Sequence, residues 1–248
     1  MEFIAAFTFT IQFLTRIPLR SSREPGAINA QKALACFPLA GYLIGCLLFC
    51  VWYLLQRFFP FNTLVPAVLI VAAETIVTGA FHLDGLADTF DAALSPGTTV
   101  ERKLEIMKDS RIGVMGATSL IIALLLKIVL IDEVLNRHHP AALLIYPALG
   151  RWAQVLFFYA SPYLRADGIG SMFARSADQG VLVRASLWLL PCLLFPSFYL
   201  VFLLLIAVLL LYRRYIHGML GGITGDVLGS AAIIAELTTL MGILIFTR

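Results

Sequence analysis

Three aspartates, Asp84, Asp88 and Asp91, stand at i, i+4 and i+7 in the string Phe81-His82-Leu83-Asp84-Gly85-Leu86-Ala87-Asp88-Thr89-Phe90-Asp91. On a helix turning about 100° per residue, that spacing gathers them within roughly 60° of one another. Like charges on one face repel and weaken a helix. The cost rises beside a bilayer, where uncompensated charge is expensive. A divalent cation removes the repulsion, and hard carboxylate oxygens suit magnesium, manganese or calcium better than zinc or copper. Asp84, Asp88 and Asp91 are therefore candidate metal ligands. The plain alternative is a solvated acidic helix end, against which stands the absence of interleaved lysines. Glu74 continues the same stripe about two and a half turns deeper, as a hydrogen-bonded structural acid or as a support for the ligands. His82 points about 200° away from Asp84, which sets it apart from a shared metal.

Two further strings carry charge that apolar packing does not explain. In Arg102-Lys103-Leu104-Glu105-Ile106-Met107-Lys108-Asp109-Ser110-Arg111-Ile112-Gly113, Lys108 and Arg111 lie one turn apart and could grip phosphate oxygens, lysine as a point charge and arginine as a fork. Orientation of the chain in a membrane could produce the same basic cluster, but beside a metal site the phosphate reading is favoured. In Gly218-Met219-Leu220-Gly221-Gly222-Ile223-Thr224-Gly225-Asp226-Val227-Leu228-Gly229, the GxxxGxxxG pattern suits close helix packing in lipid. Asp226 within that pattern is not explained by packing, and an ionisable residue at the start of a membrane helix is a functional candidate. Glu236 lies about three turns further in. Ser110, Thr224, Arg151, His82, Glu74 and Glu236 join Lys108 and Arg111 as candidate substrate-binding residues, and Asp109 joins the catalytic candidates Asp84, Asp88, Asp91 and Asp226.

The elements that must position these groups are membrane helices. Of 248 residues, 60% are hydrophobic and only 13% charged, and the mean hydropathy is +0.91. A soluble domain has roughly 45–50% apolar and about 25% charged residues. The composition excludes a secreted disulfide scaffold, a disordered tail and a nucleic-acid binder. Cys36, Cys46, Cys50 and Cys192 all sit in apolar runs and read as small apolar residues packed between helices. The expected fold is all-α, a single polytopic helix bundle over residues 1–248. Residues 3–14 form an interfacial or re-entrant helix too short to span easily.

Long apolar runs fall at about 35–56, 64–83, 113–135, 141–161 and 222–246. The stretch 181–215 is too long for one crossing of a roughly 30 Å hydrocarbon core. Pro191 and Pro196 interrupt it, which predicts two short crossings, 181–196 and 197–215, and seven spans in all. Charge supports that count. With seven spans, Arg16, Arg20, Arg23, Lys32, Arg102, Lys103, Lys108, Arg111, Arg165, Arg175, Arg184, Arg213 and Arg214 fall on one side, against Arg57, Arg137 and Arg248 on the other. The first side is then cytoplasmic, and all three acidic or basic patches face it. Lys127 and Arg151 lie within spans and need partners; for Lys127 the choices are Asp132 or snorkelling outward.

Metal carboxylates, nearby bases and a membrane setting point to phosphoryl transfer on an amphipathic substrate. The strings FHLDGLADTFD, RKLEIMKDSRIG and GGITGDVLG, with the N-terminal FLTRIP, resemble the signature segments of the cobalamin synthase family, the adenosylcobinamide-GDP ribazoletransferases. Two positions depart from the family's usual pattern: Ala92 stands where glycine is common, and Ile233 where an acid is common, Glu236 matching a later acid. The resemblance implies a multi-pass enzyme of the bacterial cytoplasmic (inner) membrane with its site facing the cytoplasm. It implies that adenosylcobinamide-GDP is joined to α-ribazole or its 5′-phosphate, with GMP leaving. Asp84, Asp88 and Asp91 would hold Mg2+, Lys108 and Arg111 would neutralise the diphosphate, and Asp109 or Asp226 would complete metal binding or act as base. The corrinoid cobalt takes no part in this transfer. Expected partners are those two substrates and the lipid bilayer, not nucleic acid; a homo-oligomer and contacts with other cobalamin-pathway enzymes are further expectations.

Two rivals differ in sequence. A CDP-alcohol phosphatidyltransferase-like enzyme should carry DxxDGxxAR, whereas Asp84-Gly85-Leu86-Ala87-Asp88 has another order. A cation transporter should place its acids near the bilayer centre, where only Glu74 and Glu236 could lie.

Overall fold

A computed structural model describes residues 2–19, 28–60, 62–97, 99–195 and 197–247. Arg20, Arg23 and Arg248 of the charge pattern, and Pro196 of the predicted turn, lie outside the described residues. The described chain is all-helical: α1 (Glu2–Leu14), α2 (Ala30–Ala35), α3 (Phe37–Leu55), α4 (Leu64–Thr78), α5 (Phe81–Ala93), α6 (Val100–Ile106), α7 (Val114–Asn136), α8 (Ala142–Ala160), α9 (Ile169–Ser176), α10 (Gln179–Leu187), α11 (Phe198–Leu220) and α12 (Gly225–Phe246). A 3₁₀ turn covers Leu190–Leu194.

Helices α3, α7, α11 and α12 are long and apolar enough to cross a membrane, and α4 with α5 makes a fifth crossing if the bent pair is one span. The predicted count of seven is not reached on length and composition. The predicted span 141–161 is α8, which buries Tyr146, Arg151 and Gln154 and packs on α3 and α12. Backbone approach there is close, because a Cβ on Gly41 would meet the backbone at Pro147 and Ala148, and one on Gly45 that of Leu143 and Leu144. Helix α12 is the central post, far more enclosed than α7 or α11.

The predicted crossing 181–196 consists of short α10 and the 3₁₀ turn. Its two ends meet different parts of the bundle. Asp178, which caps α10, accepts a hydrogen bond from Gln31 at 2.9 Å. At the far end Phe195 stacks edge-on with His139 of the α7–α8 loop, ring centres 6.1 Å apart. Helix α11 follows, and α12 packs against α5, which brings the strings that carry Asp84 and Asp226 together.

One expected helix is broken. The run 64–83 ends at Thr78, and α5 leaves at 90° to α4. Gly79 and Ala80 both adopt left-handed backbone, φ 64° and 59°. Glycine takes this at no steric cost; alanine does not. The FLTRIP segment straps the break. The Arg16 N–H donates to the Val77 carbonyl at 2.7 Å, and a Cβ on Gly79 would collide with the Arg16 side chain. The break takes Glu74 off the carboxylate stripe. The expected single glycine face is likewise divided: Gly221 is the left-handed cap of α11, Gly225 opens α12, and Gly229 packs on His82 of α5.

Helix α1 packs on α2 through Thr10, whose hydroxyl donates to the Ala33 carbonyl at 2.8 Å. Its Phe13 meets Phe173, ring centres 5.3 Å apart. Cys36 and Cys192 are buried as expected, whereas Cys46 and Cys50 are exposed on the outer face of α3.

Candidate active site

Asp84 and Asp88 lie one turn apart on α5 and line a cavity of about 470 Å³. Lys108, Asp109 and Ser110 face the same cavity from the α6–α7 connection, and Leu83, Ile112, Leu120 and Leu124 form its apolar wall. Neither Asp84 nor Asp88 has a side-chain hydrogen bond or ion pair among the described residues. Asp88 feels the charges of Asp226, Asp84 and Asp91, opposed by Arg165. Helix α5 can lie this close to α12 because residue 85 is glycine: a Cβ there would sit 2.7 Å from the Asp226 carbonyl oxygen.

Asp91 is engaged elsewhere. Its two carboxylate oxygens accept hydrogen bonds from the Gly113 and Gly116 N–H groups, each at 2.7 Å. It thus caps the start of α7, where unsatisfied N–H groups and the helix dipole favour an anion. Both donors must be glycine, since a Cβ on either would collide with the carboxylate. Asp91 fixes α7 and the wall of the cavity.

Asp109 faces a fork. Arg111 donates to both of its oxygens, at 3.0 Å from Nε and 2.7 Å from the guanidinium NH2. These hydrogen bonds hold the Asp109 carboxyl down to about 2, far below the usual carboxylate range. Such an anion is a poor proton acceptor near neutrality. Arg111 itself is exposed, outside the cavity lining.

Asp226 opens α12. Thr224, fully buried, caps that helix by accepting from the Val227 N–H, and its hydroxyl donates to Asp226 at 3.3 Å. Arg165 donates to Asp226 at 2.6 Å. Arg165 is the charged neighbour that sequence reasoning passed over. It belongs to no motif, being one of many bases on its side, and only the pairing of its loop with residues 222–224 brings it here.

The remaining candidates gather behind α5, inside the bundle. Lys127 donates to Glu74 at 2.9 Å and to Glu236 at 2.6 Å. Arg151 donates to Glu236, and Tyr146 to Glu74 at 2.8 Å. His82 lies 3.5 Å from the Arg151 guanidinium. Glu74, His82, Arg151 and Glu236 are thus brought together with one another, not with the cavity of Asp84 and Asp88. The partner expected for Lys127, Asp132, instead accepts from Thr63 at 2.5 Å.

Among the described residues no group of three or more His, Cys, Asp or Glu side chains is assembled to hold a metal ion. The free pair Asp84 and Asp88 still fits magnesium in its usual protein setting, one or two carboxylates with water and substrate phosphates making up the octahedron.

A helical membrane protein with a carboxylate-lined cavity between α5, α7 and the connection that precedes α7 fits a membrane-embedded transferase. A model of the cobalamin-5-phosphate synthase family matches residues 6–244. The chain is 38% identical over 235 residues to an adenosylcobinamide-GDP ribazoletransferase of Stutzerimonas stutzeri, covering 94% of this chain and 95% of that one. It is 36% identical over 242 residues to the enzyme of the same name from Desulfitobacterium hafniense, covering 94% and 93%. A third, from Clostridium tetani, is 30% identical over 245 residues, covering 97% and 96%. No solved structure matches the chain. The chain belongs to the cobalamin-5-phosphate synthase family, as its three strings led one to expect, and is a transferase of cobalamin biosynthesis.

Proposed function

We propose that this protein is a magnesium-dependent adenosylcobinamide-GDP ribazoletransferase of the bacterial cytoplasmic membrane, its cavity open to the cytoplasm. The observation that carries the reading is the unpaired couple Asp84 and Asp88 beside Lys108 and Ser110 in one cavity. Asp84 and Asp88 would hold Mg2+ against the diphosphate of adenosylcobinamide-GDP. The bound ion supplies charge neutralisation for the leaving phosphate. Lys108 adds a point charge to the diphosphate, and the Ser110 hydroxyl donates to a phosphate oxygen.

In the transfer, a ribose hydroxyl oxygen of α-ribazole, or of its 5′-phosphate, bonds to the phosphorus on the cobinamide side. The bond from that phosphorus to the bridging oxygen breaks, and GMP leaves with the bridging oxygen. The hydroxyl proton goes to a carboxylate. Asp109 is already bound on both oxygens by Arg111, so we assign the proton to Asp226, beside Asp88. The cytoplasmic orientation rests on the excess of lysine and arginine on the cavity's side. The transporter reading loses its support, since the two deep acids, Glu74 and Glu236, are neutralised by Lys127 and Arg151.

Purified protein in lipid, given Mg2+, adenosylcobinamide-GDP and α-ribazole, is expected to release GMP in step with cobalamin formation. Absence of both products from folded protein overturns the reading.

A further inference from the structure

Arg165 sits on the connection after α8, and its backbone is fixed. The Leu164 N–H donates to the Ile223 carbonyl, and the Ile223 N–H to the Pro162 carbonyl, each at 2.9 Å. Gly222 lies beneath this join, where a Cβ would touch the Pro162 carbonyl oxygen. The guanidinium is therefore delivered to Asp226 by two paired stretches of chain, not by a wandering loop.

Its pairing is incomplete. A guanidinium carries five N–H donors in a planar fork that matches two oxygens at once. Arg111 uses that fork on both oxygens of Asp109, whereas Arg165 makes one hydrogen bond, from a terminal nitrogen to one Asp226 oxygen. The Arg165 Nε–H is buried with no partner among the described residues. The side chain is about one-third exposed, and its charge is felt at Asp88.

We propose that Arg165 binds the donor diphosphate: Asp226 holds its guanidinium in the empty protein, and the fork turns to the phosphate oxygens when the donor enters. This rests on the functional reading above and adds a residue to it. The exchange also frees the Asp226 carboxylate at the moment it is needed as proton acceptor. No bond beyond hydrogen bonds and ion pairs changes in this step.

The test is donor binding without turnover. Calorimetric titration of adenosylcobinamide-GDP into the lipid-embedded protein, with α-ribazole absent, compares wild type with Arg165→Ala, Arg165→Lys, Asp226→Asn and the double variant Arg165→Ala/Asp226→Asn. Arg165→Ala is expected to weaken binding roughly tenfold or more, the scale of one charged hydrogen-bonding contact. Arg165→Lys restores part of it, having charge without the fork. In magnesium-free buffer Asp226→Asn binds the donor more tightly than wild type, because Arg165 is released, and the double variant loses that gain. Unchanged binding in both Arg165 variants overturns the proposal. So does a gain that survives in the double variant, since it then comes from the lost carboxylate charge alone. Should Arg165→Ala fail to fold, the Arg165→Lys and Asp226→Asn comparison decides. A wild-type protein that binds no donor would instead sink the functional reading.

Discussion

Behind α5, two acids and two bases share one buried cluster, Glu74 and Glu236 with Lys127 and Arg151; in front of it, among the described residues, Asp84 and Asp88 have no ion-pair partner and Asp226 has one. The two regions are a few residues apart in sequence, as His82 belongs to the first and Asp84 to the second. The buried cluster balances its charges because low dielectric penalises any excess. The cavity is open, with Asp84 exposed to water, so its carboxylates need no such balance and remain available to a ligand. The first region ties helices together inside the bundle, as buried ionisable groups in a membrane protein must be paired; the second is the candidate site for chemistry.

The comparison breaks most sharply at Glu236. Glu236→Gln leaves Lys127 and Arg151 short of an anion, and removing one partner of a buried pair costs about 3–5 kcal/mol. Thermal unfolding in micelles should show a large loss of stability. A next-largest effect, on another axis, is expected for Asp84→Asn: turnover should fall by about 10²–10³-fold, as when one main charge-stabilising group is removed. Its unfolding midpoint should hold or rise, since a repulsive charge has gone. If Asp84→Asn unfolds the protein and Glu236→Gln does not, the division of labour is reversed.

Asp91→Asn separates a helix cap from a metal ligand. Loss of one capping acceptor should cost about 1–2 kcal/mol of stability, while the magnesium concentration for half-maximal turnover stays put. A shift in that concentration like the one in Asp84→Asn would make Asp91 a ligand after all. The smallest effect is at the surface. Arg111 depresses the Asp109 carboxyl, so the stabilisation it brings is present above the unfolded value of about 4 and fades as pH falls towards about 2. Arg111→Ala should return the Asp109 carboxyl towards about 4 in a carboxyl-carbon NMR titration.

Much of the site was legible because its signals are local. The i, i+4 placement of Asp84 and Asp88, the basic string that delivers Lys108 and Ser110, and the misfit of Asp226 in a glycine pattern all lie within single elements. The break of the stretch 181–215 into separate helices, α10 and α11, was legible from its length and its prolines. What escaped depends on distant partners or on backbone. Lys127 finds Glu74 and Glu236, 53 and 109 residues away, with no pattern to announce either. Ala80 at a left-handed φ gives no compositional warning, so the 90° bend, and with it the fate of Glu74, was hidden. Asp91 carries a ligand's spacing but a cap's duty, which only the two N–H groups at Gly113 and Gly116 disclose.

The pair of hydrogen bonds that Asp91 accepts from the start of α7 has a consequence for how much variation the region can absorb. Asp91 and Gly113, 22 positions apart, are tied together at the base of the excursion that contains α6. The excursion is a tethered ring whose ends cannot drift, whatever happens at its tip. Closing a flexible loop of twice the length costs only about 0.6 kcal/mol more. Residues inserted beside Gly97, where an added Cβ would meet nothing within 4 Å, should therefore leave Asp84 and Asp88 in place, making that turn the natural seat for a reporter peptide or an affinity tag.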